Sequence, residues 1–467
     1  MLSAGVIIRM NFHVPFIKTE PVREGRVTPF AFRFQGLACM LAVLSVLVVI
    51  PVSAATDPLK TSDGLSKLPP APPPVLRLSL NETIALFLRQ NFDLIISSFG
   101  IDSAKGQQIT ARLFPNPTLI VNTAASFTQG LTPSNSGQIS PQIQQLFEMA
   151  GKRGYRIESA AFGTQSAEAN FEDAIRQLGF TLKDAYYRVQ LAQRRLAIAE
   201  ENRDRFARIL EVNTIRFKKG YIAEVDLIRI RLQIVDFQAQ VIQAIQEADQ
   251  GRADLRTLLG VTPAVELLLT TELDYHRVEP DIDALRLVAI EARPDIRAKR
   301  LTQSQRMADL KLAKAYRYPD VTIGAGYAVQ GARGPDLPQM PTLGINVPLP
   351  IFNRNQGGIV QSEVAAQVAD ADLKKTLIRV ESEVDVAYRN LIQSRRLVEA
   401  YRAGVLEDAR LTLTIVEKAY ERGGATILDL LDAARTSRTI QQNYIETLYN
   451  YQRNIFQLES AVGREIL

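Results

Sequence analysis

Residues 171–217, FEDAIRQLGFTLKDAYYRVQLAQRRLAIAEENRDRFARILEVNTIRF, place Ile175, Leu178, Leu182, Ala185, Val189, Ala192, Leu196, Ala199, Arg203, Phe206, Leu210, Asn213 and Phe217 at strict 4,3 spacing. That period is a coiled-coil seam, because residues alternately three and four apart lie along one side of a helix. Past a turn at 218–226, Leu227, Ile230, Ile234, Phe237, Val241, Ala244, Ala248, Leu255 and Leu258 carry the pattern back, so the two segments read as an antiparallel pair. Many seam positions are small or polar, which implies close helix packing without a thick apolar core. The outgoing helix, 151–219, would span about 100 Å at about 1.5 Å per residue, and the return helix, 223–259, about half that. A further helix is expected over 79–113, with Ser79 and Glu82 at capping-box spacing and Pro115 and Pro117 ending it. Stacked end to end, the two shorter helices would match the long one.

Between the helices lie segments of a different period. Val321, Ile323, Ala325, Tyr327 and Val329 alternate with Thr322, Gly324, Gly326 and Ala328, and the return segment sets Leu343, Ile345, Val347, Leu349 and Ile351 opposite Thr342, Gly344, Asn346, Pro348 and Pro350. Two-faced strands of this length suit transmembrane strands of about 10 residues, though a half-buried soluble hairpin would look the same. Strands are expected at about 117–128, 138–149, 319–330 and 342–351, with a polar loop containing Pro133, Asn135 and Gly137.

The whole arrangement occurs twice. Phe92-Asp93-Leu94 aligns with Pro294-Asp295-Ile296, and Pro117-Thr118-Leu119 with Pro319-Asp320-Val321, an offset of about 202 residues. Leu258-Leu259-Gly260 then aligns with Ala461-Val462-Gly463, one residue later, the slip falling at the second glycine of Gly423-Gly424. The second seam runs through Val380, Val384, Ala387, Leu391, Ser394, Val398, Tyr401 and Val405. The period is too long for a solenoid unit, so the expectation is a duplicated half-molecule: a first repeat at 79–260, an equatorial connection at 261–283 and a second repeat at 284–467.

The apolar run Leu37–Val52, preceded by Arg33 and followed by Ser53-Ala54-Ala55, reads as a secretory leader over residues 1–55, with Met10 an alternative start. A proline-rich tether, 56–78, follows it. The formal net charge is +5, and the leader's five basic against two acidic residues supply +3 of it, so no basic nucleic-acid face is implied. The one cysteine, Cys39, lies in the leader, which leaves the remainder without disulfide or thiol chemistry. His276 stands among Glu272, Asp274, Glu279 and Asp281, but only one histidine lies outside the leader, which argues against a built-in metal cluster. Catalytic groupings, phosphate-binding glycine loops and cofactor motifs are absent from the sequence, so no enzyme and no cofactor are expected.

No segment after the leader is long and apolar enough to be a membrane helix, so a membrane-spanning protein would have to use its strands. Four strands cannot close a barrel or hide their edges in lipid. Two chains would give about eight and three about twelve, and only the larger leaves an obvious aqueous lumen.

With these residues in view, the chain resembles the TolC-like outer membrane factors. Arg293-Pro294-Asp295, Tyr318-Pro319-Asp320, Pro348 to Gly357 (PLPIFNRNQG) and Gly151-Lys152-Arg153 resemble the cobalt-zinc-cadmium efflux branch in particular. The resemblance implies a homotrimer, a 12-stranded β-barrel in the outer membrane and a periplasmic α-helical barrel. It also implies a periplasmic adaptor, an inner-membrane pump of the RND type and divalent heavy metals as cargo. A type I secretion or multidrug duct shares the fold, and a soluble periplasmic coiled-coil scaffold is the rival from another class. In this architecture the turns at 218–226 and 420–432 form the periplasmic tips, where Gly220, Gly423 and Gly424 suit a reversal needing positive φ. Asp429 and Asp432 match the family's pore-lining pair, although both would also favour a helix N-terminus. Tyr420 and Asp226 match a latch between the two copies, with Ala425 departing from the latch arginine of well-known members. Lys218, Lys219 and Arg422 are candidates for adaptor contact.

Overall fold

The computed structural model describes residues 75–124, 138–330 and 339–465, one compact unit. The expected leader, most of the tether and the loop at 133–137 lie outside the described residues. Most of the described chain is helical, in pairs of long helices separated by short strands.

The seam residues fold as their period dictates. Helix α3, Lys152–Lys218, runs unbroken for 67 residues and buries Leu182, Ala185, Val189, Ala192, Ala199, Phe206 and Asn213. Helix α4, Glu224–Leu259, returns along it and buries Leu227, Ile230, Ile234, Phe237, Val241, Ala244, Ala248 and Leu255. In the second copy α7, Gln356–Ala400, buries Val380, Val384, Ala387, Leu391 and Val398. A π-helical turn, Tyr401–Val405, joins it to α8, Leu406–Glu421, and α9, Ile427–Val462, returns.

The helix expected over 79–113 is two helices. Ser79 and Glu82 form the capping box that starts α1, Leu80–Gln90. Asn91 then ends α1 and caps α2, Phe92–Arg112, bent by 46° from it. Its side chain has two engagements that a straight helix would forfeit: Oδ1 accepts from the Leu94 amide at 2.9 Å, and Nδ2 donates to the Leu258 carbonyl at 2.8 Å. The C-terminus of α4 therefore abuts the α1–α2 bend, where an added Cβ on Gly260 would come within 2.9 Å of the Gln90 carbonyl oxygen. Helices α2 and α4 both pack against α3.

The second copy builds the same joint from charge. Between α5, Ile282–Ala292, and α6, Pro294–Ala315, Arg293 takes the place of Asn91 and donates to the Ala461 carbonyl at 2.9 Å. Its guanidinium is buried, bidentate on Asp295 at 2.9 and 2.8 Å, and bonded to Glu383 at 2.6 Å. Burial pushes the Asp295 carboxyl upward, but the hydrogen bonds and charge of Arg293 outweigh it and hold the group below the usual range. Between the copies, β1, Val75–Leu78, pairs in parallel with β4, Glu266–Leu269. The end of the expected tether and part of the irregular connection are thus a small sheet, tied to α3 by Tyr186, whose hydroxyl donates to the Leu78 carbonyl at 3.1 Å and accepts from the Thr271 amide at 3.0 Å.

The remaining strands, β2 Thr118–Ala124, β3 Gln138–Phe147, β5 Val321–Gln330 and β6 Gln339–Asn346, form one antiparallel sheet in that order. The pairing of β3 with β5 joins the two copies. Strand β6 stops at Asn346, short of the expected 351, because Pro348 and Pro350 have no amide to donate to a ladder.

The Arg293 joint yields a stability prediction. Replacing Arg293 with Met should cost about 3 kcal/mol, since a buried pair loses one partner. The depressed Asp295 carboxyl contributes stability above its unfolded pKa of about 3.9 and loses it as pH falls through the lower folded value. Urea unfolding in detergent should therefore show a wild-type advantage at neutral pH that shrinks below about pH 4.

Candidate functional site

The sheet has two chemically distinct faces. Register sets Leu119 beside Ile143, Ile143 beside Ala325 and Ala325 beside Leu343, on the face that also carries Val121, Ile139, Ile323, Tyr327 and Ile345. These apolar side chains stand open in the single chain, Leu119 at 67%, Ile143 at 60% and Leu343 at 77% exposed. The opposite face holds Asn122, Gln142, Gln144, Thr322, Gly324, Gly326, Thr342 and Asn346. Gly326 is needed there, since an added Cβ would lie 2.4 Å from the Pro141 carbonyl oxygen and 2.5 Å from Gln142 Cγ. Strands β2 and β6 each leave one edge unpaired within the sheet.

Where strands meet helices, the quoted motifs converge. Buried Lys152 reaches from the start of α3 to Asp320 Oδ1 and to the Tyr318 carbonyl, each at 2.7 Å, while Asp320 also accepts from the Met149 amide at 2.8 Å. Arg153 donates to the Arg112 carbonyl at the end of α2. Asn355, at φ 58°, anchors the start of α7 to the Ala313 carbonyl at 2.8 Å.

At the other end both hairpins turn through Schellman motifs. Gly220 and Gly423 take φ of 77° and 78°. The next residues, Tyr221 and Gly424, donate back to the Arg216 and Ala419 carbonyls at 2.9 and 2.8 Å. Gly424 thus occupies the position of Tyr221 and does not itself adopt a positive φ, unlike the expectation for both glycines, and the one-residue slip between the copies precedes the turn instead of falling at the second glycine.

Tyr420 does bridge the two copies, but to a different partner than expected. Its hydroxyl donates to Asn213 Oδ1 at 2.8 Å, whereas Asp226 lies in the first turn of α4, 3.5 Å from Arg229. Burial raises the Tyr420 pKa, with Asp226 adding to the rise and Arg216 and Asn213 opposing it. Beside this bond Arg216 donates to the Glu421 carbonyl at 2.8 Å, and Arg205 meets Glu417 at 3.2 Å. Asn213 was visible as a polar residue in an apolar seam, but nothing in its spacing names its partner.

Asp429 closes a capping box on α9, its Oδ2 accepting from the Thr426 amide at 2.8 Å and hydroxyl at 2.7 Å. Those bonds hold its carboxyl below the usual range. Asp432 stands one turn further on, also exposed. Lys218, Lys219 and Arg422 are exposed around the turns, and Arg422 lines a cleft of about 620 Å³ between the tips with Arg216, Tyr221, Asp226 and Tyr420. His276 is exposed in the equatorial connection, its carbonyl accepting from the Tyr451 hydroxyl at 2.6 Å. Among the described residues no three His, Cys, Asp or Glu converge as a metal site.

The family described as outer membrane efflux protein matches residues 84–261 and 286–464. The cobalt-zinc-cadmium resistance protein CzcC of Cupriavidus metallidurans is 25% identical over 389 residues, covering 83% of this chain and 90% of that one. The outer membrane protein TolC of Escherichia coli is 26% identical over 351 residues, 71% of this chain and 70% of that one. The solved structure of the channel protein CusC superposes with a TM-score of 0.70 at 20% identity, covering 82% of this chain and 92% of that chain. These likenesses bear out the resemblance read from the sequence.

Tyr420→Phe should speed amide exchange at Gly423 and Gly424 about fivefold, the equivalent of losing a hydrogen bond worth about 1 kcal/mol. Asn213→Ala should act through the same bond, so the double variant should add little to either single one. Asp226→Ala should have the smaller effect; a larger one would restore the latch partner expected from the sequence.

Proposed function

The chain belongs to the outer membrane efflux protein family, whose members are outer membrane channels and not enzymes, and we propose that it is the passive exit duct of a tripartite efflux system. The observation that carries this reading is the two-faced sheet with open edges. Its exposed aliphatic face suits lipid, and its glutamine, threonine and glycine face suits a water-filled lumen. Three copies pairing β6 to β2 would close a 12-stranded barrel.

The helices support the same assembly. Beside its buried seam, α4 carries a second stripe, Val225, Ile228, Leu232, Val235 and Ile242, exposed in the single chain and spaced for another helix. In a trimer a neighbouring copy occupies it, and the helices continue the barrel as a periplasmic cylinder.

At the tips, Asp429 and Asp432 of three chains would surround one axis with six carboxylates, a ring that concentrates cations and resists closure by mutual repulsion. The Tyr420–Asn213, Arg216–Glu421 and Arg205–Glu417 contacts oppose that repulsion within each chain. Opening separates the second hairpin from the first when a periplasmic adaptor engages the tip cleft, with Lys218, Lys219 and Arg422 at its mouth. An inner-membrane pump of the RND type supplies the cargo. The likeness to a cobalt-zinc-cadmium resistance protein supports divalent metal cations as that cargo.

Deleting the gene should sensitise cells to divalent metals, with restoration by the wild-type chain; loss of organic toxicant or protein export alone would assign a different cargo. In planar bilayers, Asp429→Asn with Asp432→Asn should weaken block by a trivalent cation at least about tenfold, since the ring's charge supplies the binding. Unchanged block would place the constriction elsewhere.

A further inference from the structure

The outgoing helix of the second copy is interrupted where that of the first is not. Helix α3 passes this level as regular helix, with Ala199 and Asn202 buried. The second copy instead has the π-helical turn Tyr401–Val405, in which Gly404 takes φ 142° and ψ −25°. Only glycine occupies that region without strain, and isolated π-turns within α-helices insert an extra residue that loosens the regular ladder.

Packing lapses at the same place. No residue from 399 to 408 is buried, so the helix is held by Val398 on one side and by Ala409 on the other. A cavity of about 370 Å³ lies against the start of α8, lined by Ile198, Leu406, Arg410, Tyr444 and Ile445 among others. The equatorial core includes Val398 and the tip core includes Leu413, and a small apolar cluster of Ala199, Val241 and Ala244 lies between them. On the equatorial side the chain is pinned: Tyr275 donates to Glu399 at 2.7 Å, and the Tyr401 ring meets Tyr444 edge-on at 6.1 Å.

We propose that the π-turn at Tyr401–Val405 is the flexure about which α8 and its tip swing while α7 stays anchored at the equator, an inference that rests on the tip opening proposed above. The first copy lacks this flexure, so its hairpin remains the fixed wall. Motion at the turn is resisted by the tip contacts Tyr420–Asn213 and Arg216–Glu421 and by the tip core, where Leu413, Ile427 and Leu430 pack with Phe206, Ile230 and Ile234 of the first copy. The extra residue lets α8 change direction without breaking the seams on either side.

Hydrogen exchange on the wild-type protein tests the flexure without a variant: amides 401–406 should exchange at least about tenfold faster than amides 198–203, since local opening follows local packing. Gly404→Ala should raise that exchange further, since an L side chain at φ 142° strains the turn. With the latch intact, it should also enlarge the bilayer conductance, as the latch-free background Tyr420→Phe with Asn213→Ala does. The control Gly179→Ala, at a helical glycine whose added Cβ meets nothing within 4 Å, should do neither. Equal protection of the two segments, or a conductance that the latch-free background enlarges and Gly404→Ala does not, overturns the proposal. Fast exchange at 401–406 that Gly404→Ala raises, with no conductance gain in the latch-free background, would uphold the flexure and reject the gating reading.

Discussion

An unpaired strand edge cannot face hydrocarbon, because lipid offers no partner for amide or carbonyl groups. The sheet β2-β3-β5-β6 ends in two unpaired edges and carries an exposed aliphatic face. In the proposed duct, assembly is therefore a condition of the fold and not an addition to it. The same condition reaches the helices, since a second apolar stripe on α4 is useful only when a neighbouring copy stands beside it.

Within one chain, duplication supplies two columns that are equivalent where they build wall and unequal where they must be joined or moved. The joint at the equator uses an amide in one copy, Asn91, and a buried ion pair in the other, Arg293 with Asp295. Both satisfy the last carbonyls of a helix that ends against another. The outgoing helices differ in kind as well: α3 is continuous, and its counterpart is interrupted at Gly404. In the proposed duct, a tube made from two alternating walls can be stiff overall and still have one wall that bends.

Much of this was legible in the sequence, for physical reasons specific to each element. The 4,3 spacing through Leu182, Val189 and Leu391 reports which side of a helix must be covered, and those residues are buried. Ser79 with Glu82, and Gly220 and Gly423, encode local geometry and behave as their chemistry requires. What was hidden depends on groups far apart in the chain. Asn91 fits a helix interior until the Leu258 carbonyl is seen beside it, and Tyr420 can reach Asp226 or Asn213 with equal chemical sense. Only the packing of α8 against α3 selects Asn213. The parallel pair β1 and β4 is too short, and too close to prolines, for its period to register. Arg293-Pro294-Asp295 and Tyr318-Pro319-Asp320 stood out as motifs, yet their roles as joints appear only with their partners.

The number of chains in the particle that forms in lipid tests the account most directly. Native mass measurement of the protein released from membranes in mild detergent should give three copies per particle, with bound lipid and no stable monomer. A folded monomer that persists in lipid, or a particle of two chains, would contradict the closed 12-stranded barrel on which the lumen, the helical cylinder and the carboxylate ring all depend.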